Sequence, residues 1–359
     1  MRFDRIVYMA WAKRESAAHY NLARSGARKL KTNELPFTRE DIELTNVSPY
    51  GFEPLREAIA RYAGVKKEQV ATAQGTSMAN FLACAALLER GDEVIVEKPA
   101  YEPLVRVPAC FEVVIKRLPR RYENDFQPDV GELRKLLSPK TRLVILSDLH
   151  NPSGAKLHPE ILAHIGKEAA EVGAWVLVDE IYLECLYDER PNSSLLLGEN
   201  FLVTSSLTKA YGLDGLRCGW LLGDEEIVKK AYYIYDFLGV IGSSPAECLS
   251  VLAFKHLGEL QKRYKPMVKR NLSLPVSLIE GHQALEWSRP PGGLIGFVRL
   301  KGLPVERLAE HLMRRYRTSI VPGRFFEEPE FFRIGFGGES EMVEQGLLNL
   351  RRALDELLP

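Results

Sequence analysis

The stretch SSLTKAYGLDGLRCGW, residues 205–220, combines residue types that could bind and activate a small phosphorylated molecule. Lys209 follows a run of hydroxyl-bearing residues, and Arg217 comes soon after it among glycines. A lysine amine can attack a carbonyl group, whereas hydroxyl groups and a guanidinium bind phosphate. A solvated surface loop does not need this combination. The stretch therefore favours a site for a phosphorylated cofactor that carries a carbonyl group.

The elements that must position these residues are short apolar segments rich in valine, isoleucine and leucine. We interpret them as buried strands, because longer amphipathic helical patterns separate them along the chain. This alternation predicts an α/β fold, a mostly parallel sheet sandwiched by helices. The predicted strands are residues 92–97, 142–147, 174–179, 201–206 and 218–223.

After about residue 245 the pattern changes to a long helix followed by strand-like and helical segments. This predicts a smaller α+β domain beside the sheet. We expect residues 36–247 to form the large, cofactor-binding domain. Residues 1–35 and 248–359 are expected to form the small domain.

Polar residues follow the predicted strands at their carboxyl ends, where open parallel sheets bind ligands. Each has an ordinary alternative explanation: Lys209 could be a surface lysine, Asp179 a salt-bridge partner and Thr76 a simple helix N-cap. Their joint occurrence at successive strand ends predicts one common crevice. The residues expected there are Gly75, Thr76, Ser77, Tyr101, Asn151, Asp179, Tyr182, Ser206, Thr208 and Lys209.

The composition argues against several classes of function. Lys plus Arg and Asp plus Glu number 48 each, so a general electrostatic grip on nucleic acid or an anionic membrane is not expected. The five cysteines are odd in number and widely spaced, which predicts neither a disulfide framework nor a metal site. We find no signal peptide and no membrane span, and we expect a cytoplasmic protein.

Taken together, these motifs resemble the fold-type-I pyridoxal-phosphate enzymes, specifically the class I/II, aspartate aminotransferase-like transferases. The resemblance covers about residues 45–345. The stretch around Lys209 is similar to the family's Ser-x-[Ser/Thr]-Lys…Arg-x-Gly signature. NPSG (151–154), DEIY (179–182), FRIGFG (332–337) and YGFEPLREAIARY (50–62) are similar to further family motifs, in the family's order.

The resemblance implies a role for each residue of the expected site. Lys209 would form the Schiff base with pyridoxal 5′-phosphate and move the proton, while Asp179 would keep the pyridine nitrogen protonated. Arg333, with Asn151, would bind the substrate's α-carboxylate. Asn151 and Tyr182 would bond the ring 3′-oxygen, and Tyr101 would stack on the ring. The residues expected around the phosphate are Gly75, Thr76, Ser77, Ser206, Thr208 and Arg217.

The activity that the resemblance implies is transfer of an amino group from an α-amino acid to a 2-oxo acid by a ping-pong mechanism, in a homodimer. One alternative is another reaction of the same cofactor, such as that of a C–S β-lyase or a related synthase. A second is a sugar- or nucleotide-binding module, or a cofactor-binding regulator. The residues that choose the amino donor are expected in segments 20–30 and 290–297.

Two departures from the family's pattern bear on the phosphate site and on the choice of substrate. Asn46 stands where many members have a tyrosine that binds the phosphate across the subunit interface. Residues 238–248 contain no arginine, whereas one subgroup of aspartate aminotransferases has there an arginine that binds the substrate's side-chain carboxylate in the partner subunit. Whether a partner contributes to the phosphate site is therefore left open, and an aspartate substrate is less favoured.

Overall fold

The computed structural model describes residues 1–15, 18–45, 48–186 and 192–358, and its centre is a mixed sheet of seven strands. The spatial order of the strands is β2-β8-β7-β6-β5-β3-β4, and only β8 runs antiparallel to its neighbours. The expected α/β architecture with a mostly parallel sheet is confirmed. The strands of this sheet are β2 Val70–Gln74, β3 Glu93–Lys98, β4 Val114–Pro119, β5 Thr141–Ser147, β6 Trp175–Asp179, β7 Phe201–Ser206 and β8 Cys218–Leu222.

The helices pack on both faces of this sheet and around a second, smaller sheet. The long helix predicted from residue 245 continues without interruption for 37 residues. The helices are α1 Val7–Glu15, α2 Glu53–Ala63, α3 Thr76–Leu87, α4 Glu102–Ala109, α5 Val130–Leu136, α6 Pro159–Glu171, α7 Glu225–Tyr235, α8 Ser244–Glu280, α9 Val305–Tyr316 and α10 Ser340–Leu357.

The central strands β5, β6 and β7 are buried on both faces, which explains their unbroken apolar sequences. Two strands of this sheet escaped prediction, for different reasons. β2, with the sequence VATAQ, has small side chains that give a weak apolar signal. β4 lies at the sheet's edge and is only partly buried, so its sequence VIKRLP mixes apolar with charged residues.

The second sheet contains β12, β13, β10 and β9, in that spatial order. β1 Tyr20–Asn21 pairs with β11 Thr318–Ser319, so the N-terminal segment crosses to the C-terminal part of the chain. The division into domains at residues 36 and 247 stays a prediction. The remaining strands are β9 Leu285–Trp287, β10 Ile295–Leu300, β12 Val321–Pro322 and β13 Phe331–Gly335.

Two glycines allow β8 and the start of α3 to approach closely. Gly75 has φ +78°, and a Cβ there would lie 2.4 Å from Arg217 Nη2. A Cβ on Gly219 would lie 2.4 Å from the carbonyl carbon of Gly75. Both positions therefore require glycine. As a result, the first residues of α3 and Arg217 lie side by side at the end of the sheet.

No helix in the described ranges is long and apolar enough to span a bilayer.

Candidate active site

A cavity of about 530 Å³ opens at the carboxyl ends of β5, β6 and β7. Nine of the twelve residues expected in the site form part of its wall, although they come from five separate stretches of sequence. Gly75, Ser206 and Arg333 lie behind this wall. The nine are Thr76, Ser77, Tyr101, Asn151, Asp179, Tyr182, Thr208, Lys209 and Arg217.

Lys209 follows β7 and extends its amine into the cavity. Nζ donates a hydrogen bond of 2.9 Å to Ser25 Oγ and lies 5.9 Å from the centre of the Tyr182 ring. Desolvation lowers the pKa of the Lys209 ammonium, and the charges of Arg333 and Arg24 lower it further. The amine therefore loses its proton more readily than a solvated lysine, as a nucleophile or base requires.

Asp179 ends β6 and is buried, with its carboxylate facing the cavity. Oδ2 accepts from Asn80 Nδ2 at 3.0 Å, and Oδ1 accepts from the backbone N–H of Ile181 at 3.1 Å. Burial raises the pKa of Asp179 to about 6. The charge of Lys209 opposes this rise only weakly, and a protonated ring nitrogen in the cavity would add a cation that favours the ionised carboxylate.

The first turn of α3 and the loop after β7 form a region suited to an anion. Thr76 Oγ1 and Thr208 Oγ1 are buried and have no hydrogen-bond partner among the described residues. The N–H groups of Thr76 and Ser77 begin a helix and so have no acceptor within it. Arg217 donates only to two backbone carbonyls, of Gln74 and Asp214, at 3.3 Å each. These donors and this cation match a phosphate group.

Arg333 lies in β13 with its guanidinium fully buried behind the cavity. Nη1 donates to Asn151 Oδ1 at 2.8 Å, and Nη2 donates to the Tyr8 hydroxyl at 2.9 Å. Arg333 Nε is buried and has no hydrogen-bond partner in the part of the chain that the structure describes. A buried guanidinium with donor capacity left over can bind a carboxylate, because the ionic hydrogen bonds offset its desolvation.

A buried ionic network holds Asn151 in place from behind. Its backbone N–H donates to Ser147 Oγ at 3.1 Å, and Ser147 Oγ in turn donates to Glu97. Arg120 Nη1 donates to Glu97 at 2.6 Å, with both side chains fully buried. Removing one partner of such a pair typically costs about 3–5 kcal/mol. This network therefore fixes the turn that presents Asn151.

His150, beside Asn151, is part of the same support. It is fully buried, with Nε2 3.0 Å from the Pro99 carbonyl and Nδ1 2.6 Å from Ser153 Oγ. Burial and the nearby Arg120 charge keep the pKa of His150 well below its usual value, so the ring is neutral. Nε2 must then donate to the carbonyl, while Nδ1 accepts from the serine.

Comparison with known proteins now identifies the family. The family model for aminotransferase class I and II matches residues 27–350. The chain belongs to this family. Its cofactor is pyridoxal 5′-phosphate, and its fold is that of the fold-type-I aminotransferases.

Three similar proteins illustrate the range of this family. Capreomycidine synthase from Streptomyces vinaceus is 32% identical over 311 residues, covering 85% of this chain and 79% of its own length. An aspartate aminotransferase from Pyrococcus horikoshii is 27% identical over 327 residues, covering 85% and 82%. The crystal structure of a pyridoxal-phosphate-dependent aminotransferase from Streptococcus suis 89-1591 has a TM-score of 0.93 at 26% identity, covering 99% of both chains.

The cavity of this family member fits the cofactor chemically. The orphaned hydroxyls of Thr76 and Thr208, together with Arg217, suit the phosphate. Asp179 suits the pyridine nitrogen, and Lys209 suits the aldehyde carbon. Tyr101, the residue expected to stack on the ring, lies in the wall, and its hydroxyl donates to Met9 Sδ at 3.2 Å.

Some residues of the cavity escaped prediction. Tyr8 was missed because helix α1 has no recognisable motif, although it contacts Arg333. Ser25 lies in the segment expected to choose the amino donor, without having been singled out. Asn80 did carry a signal, since it is a polar residue within the mostly apolar sequence of α3.

The two segments expected to choose the amino donor differ in the structure. Segment 20–30 contributes Asn21, Ala23, Arg24, Ser25 and Lys29 to the wall. Segment 290–297 contributes nothing to the wall, and it packs instead behind the NPSG turn, where Ile295 contacts Gly154. Asn46, the position of the family's cross-subunit tyrosine, lies outside the described residues.

Proposed function

We propose that this protein is a pyridoxal-phosphate-dependent aminotransferase that moves an amino group from an α-amino acid to a 2-oxo acid by a ping-pong mechanism. The observation that carries the proposal is the spacing of three charged groups around one cavity. Lys209 extends from one side, Asp179 faces in from the sheet, and Arg333 stands behind Asn151. An amino acid presents an amine, an α-proton and a carboxylate, and each has a counterpart here.

Pyridoxal phosphate, when bound, supplies an aldehyde that condenses with amines and a pyridinium ring that accepts the electron pair left by the departing α-proton. Thr76, Ser77, Thr208 and Arg217 would hold its phosphate. Asp179 would hold the ring nitrogen's proton, since its carboxylate is buried and can accept a further hydrogen bond.

Lys209 Nζ would take the substrate's α-proton and deliver a proton at the end of each half-reaction. Desolvation lowers the pKa of this amine, so its neutral, proton-accepting form is more accessible than in a solvated lysine. Ser25 Oγ, 2.9 Å from Nζ, would hold the amine in position between removal of the α-proton and delivery of a proton. Arg333 would bind the α-carboxylate and so fix the α-carbon near Nζ.

The cavity's charges agree with such substrates. Its wall includes Arg24, Lys29, Lys209 and Arg217, against the single carboxylate of Asp179 in the same lining. Cofactor phosphate and substrate carboxylate are both anions, so they would balance this excess. In the described part of the chain no disulfide joins any of the five cysteines, which is in keeping with our expectation of a reducing, cytoplasmic setting.

A second candidate is a synthase reaction on the same scaffold. The similarity to capreomycidine synthase favours it, because that relative covers 85% of this chain. Such a reaction also begins with removal of the α-proton, so Lys209, Asp179 and Arg333 would serve both. The two reactions differ in where the amino group is after the product is released: transamination leaves it on the cofactor, whereas a synthase reaction keeps it in the product.

Product analysis separates the candidates. The cofactor-loaded enzyme is mixed with single amino acids in the absence of any 2-oxo acid, and 2-oxo acid and ammonia are quantified. An aminotransferase releases about one equivalent of 2-oxo acid per site and no ammonia, and addition of 2-oxoglutarate makes the reaction catalytic. A β-lyase instead releases ammonia and pyruvate catalytically from cysteine conjugates. A panel with neither outcome contradicts the aminotransferase and the lyase, and a new product that keeps its amino group would indicate the synthase reaction. Lys209→Ala supplies the background.

A further inference from the structure

Asn80 joins three elements beneath the cavity. It lies in α3, and its buried amide donates from Nδ2 to Asp179 Oδ2 of β6 at 3.0 Å. Its Oδ1 accepts from Thr204 Oγ1 of β7 at 2.6 Å, and the Thr204 side chain is fully inaccessible. The three side chains form a continuous hydrogen-bonded row, Thr204 to Asn80 to Asp179.

The direction of these bonds follows from the donors available. An ionised carboxylate only accepts, so the amide nitrogen of Asn80 must face Asp179. The amide oxygen then faces Thr204, whose hydroxyl can donate to it. With the amide turned over, an amide oxygen would lie about 3 Å from a carboxylate oxygen, which is repulsive. The carboxylate therefore sets which end of the Asn80 amide faces it, and Thr204 holds the amide in that orientation by donating to its oxygen.

We propose that Asn80, oriented by Thr204, is a positioning residue that keeps Asp179 ionised and directed at the cofactor's ring nitrogen. The inference rests on cofactor binding, and it holds whether the reaction that follows is transamination or a synthase step. The residue acts only through Asp179.

The charged surroundings of Asp179 make this donor important. Burial raises the pKa of Asp179 to about 6, and the bond from Asn80 is the largest effect opposing that rise. The N–H of Ile181 and the charge of Lys209 oppose it less. Tyr101 also faces this carboxylate, and the neighbouring Glu180 is directed elsewhere, to Ser193 and Ser194. Without the Asn80 donor, the neutral carboxyl is favoured at higher pH, and a neutral carboxyl cannot balance a pyridinium charge.

The test measures the affinity of the apo-protein for pyridoxal phosphate as a function of pH, by the quenching of tryptophan fluorescence. In the wild type, binding should weaken as pH falls through about 6, since Asp179 becomes protonated. In Asn80→Leu this fall in affinity at acidic pH, the acid limb of the binding profile, should shift to a pH about one unit higher. At pH values below the limb, the variant should bind the cofactor up to about tenfold more weakly than the wild type. Titration of the cofactor itself is common to all variants. The absorbance of the bound cofactor against pH gives a second readout.

Matched variants separate positioning from folding. Thr204→Val should move the limb in the same direction by less, and Thr204→Ser should restore it. Asn349→Leu removes a similar buried pair, in which Asn349 Nδ2 donates to Thr318 Oγ1 at 2.9 Å away from the cavity, and it should leave the limb in place. The proposal is overturned if Asn80→Leu and Thr204→Val bind with the wild-type pH profile, or if Asn349→Leu moves the limb equally. If Asn80→Leu does not fold, the comparison of Thr204→Val with Thr204→Ser decides the question alone.

Discussion

Lys209 is the residue whose loss should affect turnover most. Lys209→Ala removes the amine that would carry the α-proton, while the phosphate donors and Asp179 remain. We expect turnover to fall by roughly a thousandfold or more, with the cofactor still bound. Steady-state rates and absorbance of the dialysed protein measure the two effects. Lys167→Ala on the exposed face of α6 is the control. Near-normal turnover by Lys209→Ala would exclude the proposed mechanism.

Arg333 tests the binding of the substrate's carboxylate. Arg333→Lys keeps the positive charge but loses the planar pair of donors. A lysine amine at this position would also lose at least one of the hydrogen bonds that Arg333 donates to Asn151 and Tyr8. We expect KM for the amino acid to rise by about 10- to 100-fold, with a smaller change in kcat. Arg299→Lys, in the exposed ion pair with Glu330, should leave both constants unchanged. An unchanged KM in Arg333→Lys would assign Arg333 a structural role instead.

At the scale of elements, Glu180 ties the end of β6 to the segment that resumes at residue 192. Its Oε1 accepts from the backbone N–H and the hydroxyl of Ser194, both at 2.6 Å, and Ser193 Oγ donates to Oε2 at 2.9 Å. Burial raises the pKa of Glu180 from 4.5 to about 7, although these bonds oppose the rise. The ionised form is therefore less stable in the folded protein than in the unfolded chain.

The sign of the resulting pH dependence follows from linkage. A raised folded-state pKa stabilises the fold fully below about pH 4.5, and this contribution is lost as pH rises through about 7. Glu180→Gln removes this loss, so relative to wild type it should gain up to about 3 kcal/mol in free energy of unfolding between pH 5 and 8. Chemical denaturation at both pH values measures the gain. Glu199→Gln, at an exposed residue, is the control. If the free energy of unfolding of Glu180→Gln changes with pH as that of the wild type does, the prediction is refuted.

The helices and strands could be predicted where burial requires a recognisable pattern of apolar residues in the sequence. β5, β6 and β7 were anticipated because both of their faces are covered, which demands continuous apolar residues. The edge strand β4 was not, because one side faces water and its pattern is mixed. The long helix predicted from about residue 245 continues as α8 through Pro266 and Pro275, although proline usually ends a helix.

At the scale of the whole molecule, a homodimer remains our prediction, and the distribution of apolar residues shows which surface could form it. The apolar residues Met9 and Trp11 of the N-terminal segment line this chain's own cavity, so they do not call for a partner. A different surface does. After α7, Phe237 is 91% exposed and Val240 is 62% exposed, with Leu238 and Ile241 also exposed. Several large apolar side chains in one exposed loop indicate a contact surface.

Phe237→Asp should therefore weaken a dimer. We expect sedimentation to give a dimer for the wild type and a concentration-dependent shift toward monomer for the variant. Leu348→Asp, at an exposed leucine on α10, is the control and should sediment as wild type does. A wild-type protein that is monomeric and fully active at nanomolar concentration would contradict the prediction.

The sequence alone determined which residue types stand at the ends of successive strands. Because the carboxyl ends of parallel strands meet at one edge, Asn151, Asp179 and Lys209 had to converge. Only the tertiary structure decided what meets them there. Ser25 reaches Lys209 across 184 positions, Tyr8 reaches Arg333 across 325, and Asn80 meets Thr204 across 124. Such contacts depend on how helices and the N-terminal segment pack on the sheet, and local spacing along the chain carries no record of that packing.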